Sequence, residues 1–218
     1  MNTYLCQTDF LDFDQKIVRD YAILHTTENQ TDTEKAIALY LAVRDGFYYN
    51  PYILDLTKNG LKSSTILGRK YSYCVEKAVL LASLLRCVGI PSRLYFGNVK
   101  NHIATEKLEQ ILGTNLLVFH GACEVFLNGK WVKATPAFNK ELCEKLNVKP
   151  LEFDGVTDSL FQQYNETGTK FMEYISEYGS FDDMPFALYL QEIKKHYSHL
   201  VNNPENEKNG LYITIDTQ

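Results

Sequence analysis

Residues 71–99, YSYCVEKAVLLASLLRCVGIPSRLYFGNV, decide the reading of this chain. From Cys74 to Val88 the apolar residues Ala78, Leu81, Ala82, Leu85 and Val88 recur at helical spacing, with Glu76, Lys77, Ser83 and Arg86 mostly off that stripe. The spacing predicts an amphipathic helix that begins at Cys74. Gly89 suits its C-cap, Ile90-Pro91 blocks continuation, and SRLYFGNV reads as a departing strand. A thiol at a helix start faces unsatisfied N–H groups, which are expected to lower its pKa and favour the nucleophilic thiolate.

A partner for that thiol is expected from the second block, residues 116–135, LLVFHGACEVFLNGKWVKAT. LLVFHGACEVFL reads as a strand, and Asn128-Gly129 is the preferred two-residue hairpin turn. Pairing Leu127 with Lys130 and counting outward sets Glu124 opposite Lys133, Ala122 opposite Thr135 and His120 opposite Ala137. Thr135 and Asn139 then lie diagonal to His120. Glu124 shares the His120 face, and a cross-strand pair with Lys133 is its simplest account. Of the other histidines, His25 sits in a polar helical stretch, His102 in a loop, and His196 and His199 on a late helix.

Upstream, Thr31-Asp32-Thr33-Glu34 starts a helix that runs to about Val43. The aromatic stretch RDGFYYNPYILDL, residues 44–56, reads as a loop or extended segment able to line a cleft. Beyond Pro150, turn signals precede a last helix near 186–200, and LYITIDTQ is either a short terminal strand or frayed.

With 218 residues, 45% hydrophobic and 22% charged, the chain fits one globular domain with room for a sizeable core. A net charge of −5 without any Lys/Arg block argues against a nucleic-acid partner. The opening MNTYLCQTDFLDFDQ lacks the basic flank and apolar run of a signal peptide, and nowhere do eighteen apolar residues follow one another. A cytoplasmic chain without a membrane partner is expected. The five cysteines (6, 74, 87, 123 and 143) form no CxxC or regular framework, so free thiols are expected. His120 and Cys123, three apart on a strand, point to opposite faces, and no metal is expected.

YSYCVEKAVLLASLLRCVGIPSRLYFGNV followed by HGACEVFLNGKWVKATPAFN resembles the cysteine and histidine blocks of the transglutaminase-like superfamily, C-x-x-x-A-x-x-x-x-x-x-L-R-x-x-G-I-P-x-R and then H-x-x-x-E-V-x-x-x-G-x-W. The resemblance covers about residues 31–140, with 141–218 as a C-terminal extension similar to that of one bacterial branch. It implies an α+β, papain-like core: a central helix packed on an antiparallel sheet, with helical additions at both ends, in one domain spanning 1–218. Cys74 then matches the nucleophile and His120 the base of amide or acyl chemistry through a thioester, without a cofactor, on a peptide or protein substrate.

The family's third position, normally an aspartate soon after the hairpin Trp, falls on Thr135. Thr135 and Asn139 are equal candidates for orienting the imidazole, since an uncharged acceptor can do so less strongly than a carboxylate. The oxyanion hole is expected from the nucleophile's own N–H plus Tyr71 or Tyr73. The departure at Thr135 also leaves open a module that binds a peptide or protein partner without catalysis.

Overall fold

The structure is a computed structural model describing residues 2–102, 106–160, 172–201, 203 and 205–215. Part of the turn-rich stretch, residues 161–171, and the last three residues of the terminal segment lie outside it. In chain order the main elements are α1 (Lys16–His25), α2 (Asp32–Gly46), β1 (Tyr48–Tyr49), β2 (Ile53–Leu56), α3 (Ser63–Leu67), β3 (Tyr71–Ser72) and α4 (Cys74–Cys87). They continue as β4 (Ser92–Asn101), α5 (Glu106–Leu112), β5 (Leu116–Leu127), β6 (Lys130–Ala134), α6 (Lys140–Leu146), β7 (Met172–Phe181), α7 (Phe186–His196) and β8 (Tyr212–Ile215). The result is α+β, with α4 packed against an antiparallel sheet of order β6-β5-β4-β7.

Helix α2 starts where the sequence predicts. The Thr31 hydroxyl accepts from the Glu34 N–H at 3.3 Å, and the Glu34 carboxylate accepts from the Thr31 N–H at 2.8 Å, a reciprocal capping box. The helix continues three residues past Val43 to Gly46.

Helix α4 departs from its amphipathic expectation. Helices α1, α2 and α3 pack on it along with the sheet, and Glu76, Lys77, Ser83 and Arg86 are all buried. Polar groups survive inside only when bonded. Lys77 Nζ donates to the Arg44 carbonyl at 2.8 Å, and the Arg86 guanidinium donates to the carbonyls of Ser92, Cys6 and Asp182. Periodicity reports which residues are polar and not whether backbone carbonyls wait to receive them. At the C-terminal end Gly89 is left-handed, with φ 83°, and the Ile90 N–H reaches back to the Leu85 carbonyl at 2.9 Å.

The hairpin turns at Asn128 (φ 50°) and Gly129 (φ 84°), the paired positive values of a type I′ turn. Its register runs from Leu127 opposite Lys130 through Glu124 opposite Lys133 to Cys123 opposite Ala134, and stops there. The continuation that would set Thr135 against Ala122 and Ala137 against His120 does not form. Pro136 has no N–H for the ladder, and the Thr135 carbonyl accepts from the Tyr40 hydroxyl at 3.1 Å instead. The Glu124–Lys133 ion pair does not form either, although the two residues are opposite. Strand β5 is central, and Glu124 bonds toward its other neighbour, accepting from Arg93 Nε and the Ser180 hydroxyl, each at 2.6 Å. Lys133 Nζ lies over the Tyr95 ring, 3.8 Å from its centroid.

The aromatic stretch 44–56 forms two short strands about a turn, where the Asn50 side chain accepts from the Tyr52 N–H at 2.9 Å. Strand β1 pairs in parallel with β3, which places its tyrosines beside the start of α4. Strand β8 pairs in parallel with β2, so LYITIDTQ is a strand over its described part.

Candidate active site

Cys74 opens α4 behind Tyr73, whose backbone is extended (φ −109°, ψ −179°). This elbow is held from beneath by Glu76. Its carboxylate accepts from the Tyr73 N–H at 3.1 Å and the Ser72 hydroxyl at 3.0 Å, and is paired with Arg69, which also bonds Asp55 at 2.7 Å. Burial lifts the Glu76 pKa to about 7, against the pull of the Arg69 charge and the two hydrogen bonds.

Strand β5 meets the elbow at Gly121. A Cβ there would lie 2.9 Å from Val75 Cα and 3.1 Å from the Cys74 carbonyl oxygen, so backbone packs on backbone. The closeness brings the Gly121 N–H, together with the Val75 N–H and the Tyr49 hydroxyl, near enough to the Cys74 sulfur to favour its thiolate form. Those donors favour thiolate, but burial outweighs them and the thiol pKa is raised, where the helix start alone led to an expected fall. Cys74 is 9% exposed.

In front of the sulfur lies a cavity of about 70 Å³. Leu54, Leu117 and Val118 line it with Leu108 and Leu112 of α5 and Ile193 of α7. Four tyrosines, Tyr49, Tyr73, Tyr189 and Tyr197, complete much of the wall. Two sequence regions distant from Cys74 thus close over it.

His120 is covalently next to Gly121, but no hydrogen bond joins its ring to Cys74, and it is not among the described residues lining the cavity. Strand pleating puts His120 on the side of Ala122 and Glu124, opposite the Gly121 side that meets α4. Its ring meets Tyr174 of β7 edge to face, with centroids 6.4 Å apart. Immediately before it, Phe119 has φ 61°, a strained value for an aromatic residue, beside a β-bulge between Gly97 and Val99 of β4. Burial lowers the His120 pKa to about 4, so the ring is neutral at neutral pH.

That shift gives a stability prediction. The folded value of about 4 lies below the unfolded value near 6.5, so the unfolded chain binds more protons between them. The contribution is full above pH 6.5 and is lost as pH falls toward 4, up to about 3 kcal/mol. Urea unfolding at stepped pH should show this decline in the parent chain and a shallower one in His120→Gln. Equal slopes would mean that His120 is not buried as the neutral ring.

The remaining expected site residues separate. Thr135 is buried, and its hydroxyl makes no hydrogen bond among the described residues, to His120 or otherwise. Asn139 does not reach His120. It sits at the N-cap of α6, where its carbonyl accepts from the Tyr49 N–H at 3.0 Å and its NH2 donates to Glu141 at 2.6 Å. It therefore touches the site through Tyr49. Tyr73 faces the cavity with its hydroxyl 2.7 Å from that of Tyr189. Tyr71 is exposed, meets the Tyr48 ring at a tilt with centroids 6.0 Å apart, and lines a separate cleft of about 290 Å³ with Glu141 and Lys145. Tyr49 is the side chain beside the sulfur that sequence reasoning did not single out; its signal was only the aromatic density of 44–56.

All five cysteines are free. Among the described residues no group of three His, Cys, Asp or Glu side chains is placed to hold a metal ion, and no helix is long and apolar enough to cross a membrane.

The structure of a candidate cysteine protease from Cytophaga hutchinsonii is similar at 16% identity and a TM-score of 0.48, over 61% of this chain and 40% of that one. That of a candidate protease from Parabacteroides distasonis ATCC 8503 is similar at 15% identity and a TM-score of 0.38, over 58% of this chain and 26% of that one. The chain spans less than half the length of either. No curated protein matches it. The family model described as the transglutaminase-like superfamily matches residues 19–136, more than half of the 218 residues and inclusive of Cys74, Gly121 and His120. On that match the chain belongs to the transglutaminase-like superfamily.

Proposed function

We propose that this protein carries out cysteine-dependent acyl chemistry, as a peptide or isopeptide hydrolase or a transglutaminase-type acyl transferase, with Cys74 as nucleophile. The observation that carries the reading is the sulfur itself: it begins α4, has the Gly121 and Val75 N–H groups and the Tyr49 hydroxyl beside it, and lies on the wall of a largely apolar cavity.

In the proposed cycle the thiol gives its proton to His120, whose neutral ring is the form that accepts one. The ring lies on the far side of β5, so this transfer requires the strand to turn it toward the sulfur, and the left-handed joint at Phe119 is where that rotation is proposed to occur. The thiolate then bonds to the substrate carbonyl carbon, and backbone N–H groups at the elbow hold the oxyanion. As the C–N bond breaks, the imidazolium gives its proton to the leaving amine and a thioester remains. Water or a second amine attacks the thioester, the C–S bond breaks and the thiol is regenerated. No cofactor enters. The substrate is a peptide or protein, and five free thiols suit a reducing, cytoplasmic setting.

Casein hydrolysis and dansylcadaverine incorporation into casein, run in parallel on the full chain, test the class. One of the two is expected above the Cys74→Ala background, and its identity separates hydrolase from transferase. The placement of His120 on the far side of the pleat favours a second reading, a peptide-binding module without turnover. Casein binding with neither activity would select that reading over catalysis.

A further inference from the structure

Resting on Cys74 as nucleophile, we propose that the cavity before it is the acyl-side pocket and selects a small, uncharged aliphatic group of about three or four carbons. Size argues first. At about 70 Å³ the space is roughly half of a 150 Å³ cavity that holds benzene.

Charge argues second. Among the described lining residues there is no Asp, Glu, Lys, Arg or His. A carboxylate or ammonium entering would lose its water and meet no counter-charge, a cost of several kcal/mol.

The wall also keeps its polar groups occupied. Tyr73 and Tyr189 bond one another, Tyr197 donates to the Leu116 carbonyl at 2.6 Å and accepts from the Val118 N–H at 2.9 Å, and the Tyr49 hydroxyl lies beside the Cys74 sulfur. A hydroxyl or amide on the acyl group would need one of these pairs to open. Aliphatic carbon disturbs none of them. Leu112 and Ile193, from α5 and α7, are apolar walls of the same space.

The test is acylation of the full chain by p-nitrophenyl acetate, isobutyrate, octanoate and hemisuccinate, read as the rate of adduct formation on Cys74 by peptide mass spectrometry. Each rate is divided by that of N-acetylcysteine to remove intrinsic ester reactivity. Isobutyrate is expected to exceed octanoate and hemisuccinate at least tenfold, and Leu112→Ala should move the optimum to a longer chain. If that variant does not fold, Leu54→Ala carries the same expectation. A flat normalised profile, or an unmoved optimum in a folded variant, overturns the pocket assignment and leaves the nucleophile standing. No adduct on Cys74 from any ester overturns the nucleophile and the pocket together.

Discussion

Cys74→Ala is expected to remove the proposed acyl turnover, by a factor on the order of 10⁴ or more, while the chain stays folded. The loss is large because nothing else at the elbow can form the covalent intermediate: the cavity wall is aliphatic apart from tyrosine hydroxyls already bonded. The structural cost is small, since one sulfur atom leaves a position at the edge of a cavity, about 1 kcal/mol or less. Cys123→Ala is the informative control. That thiol is more deeply buried, burial pushes its pKa up, and its sulfur donates weakly to the Glu124 carbonyl at 3.7 Å and does not line the cavity. Cys123→Ala should lower the melting temperature and spare turnover. Thermal melts and initial rates on the two variants check the contrast, and equal losses of turnover would remove the special status of Cys74.

Gly121→Ala gives the second large effect, and it falls on structure and chemistry together. The added Cβ would sit 2.9 Å from Val75 Cα and 3.1 Å from the Cys74 carbonyl, and both belong to backbone that cannot rotate aside. Strand β5 and the first turn of α4 must separate, at a cost of about 1–3 kcal/mol. The same movement withdraws the Gly121 N–H from the sulfur, so the Cys74 pKa rises further and acylation slows at least tenfold. Denaturant unfolding and thiol titration measure the two effects separately. Parental stability would show that the strand and helix are not in contact at this point.

Much of this was legible in the sequence because it is local. The capping box at Thr31 and Glu34, the left-handed Gly89 and the Asn128-Gly129 turn are each decided within a few residues, and each stands where its residues indicate. The α+β class came from the resemblance of the cysteine and histidine blocks to the superfamily, and the hairpin register holds through Ala134. What sequence could not give is set by neighbours distant in the chain. Lys77 and Arg86 looked solvent-facing until carbonyls from α2 and the N-terminal segment met them. Glu124 had two possible partners on flanking strands, and only assembly of β4 beside β5 chose Arg93.

The site shows the same division. Position pointed to Cys74, and the hairpin register and the motif pointed to His120, but the groups around the sulfur come from Tyr49 and Gly121, which no local period couples to it. The pKa of Cys74 illustrates the limit well. Its helix-start placement was visible and argued for a fall, whereas the enclosure by α5 and α7 that reverses the sign arises from residues over thirty positions downstream. Asn139 was within reach of His120 only on a ladder that Pro136 ends, and it serves Tyr49 instead.

The most direct test of the central claim is to treat the chain with p-nitrophenyl acetate and map acetyl adducts over all five cysteines before and after adding hydroxylamine. Cys74 as nucleophile predicts one hydroxylamine-labile acetyl thioester, on Cys74, despite its burial. Adducts ordered by exposure, with the exposed Cys6 first and Cys74 unmodified, would contradict it.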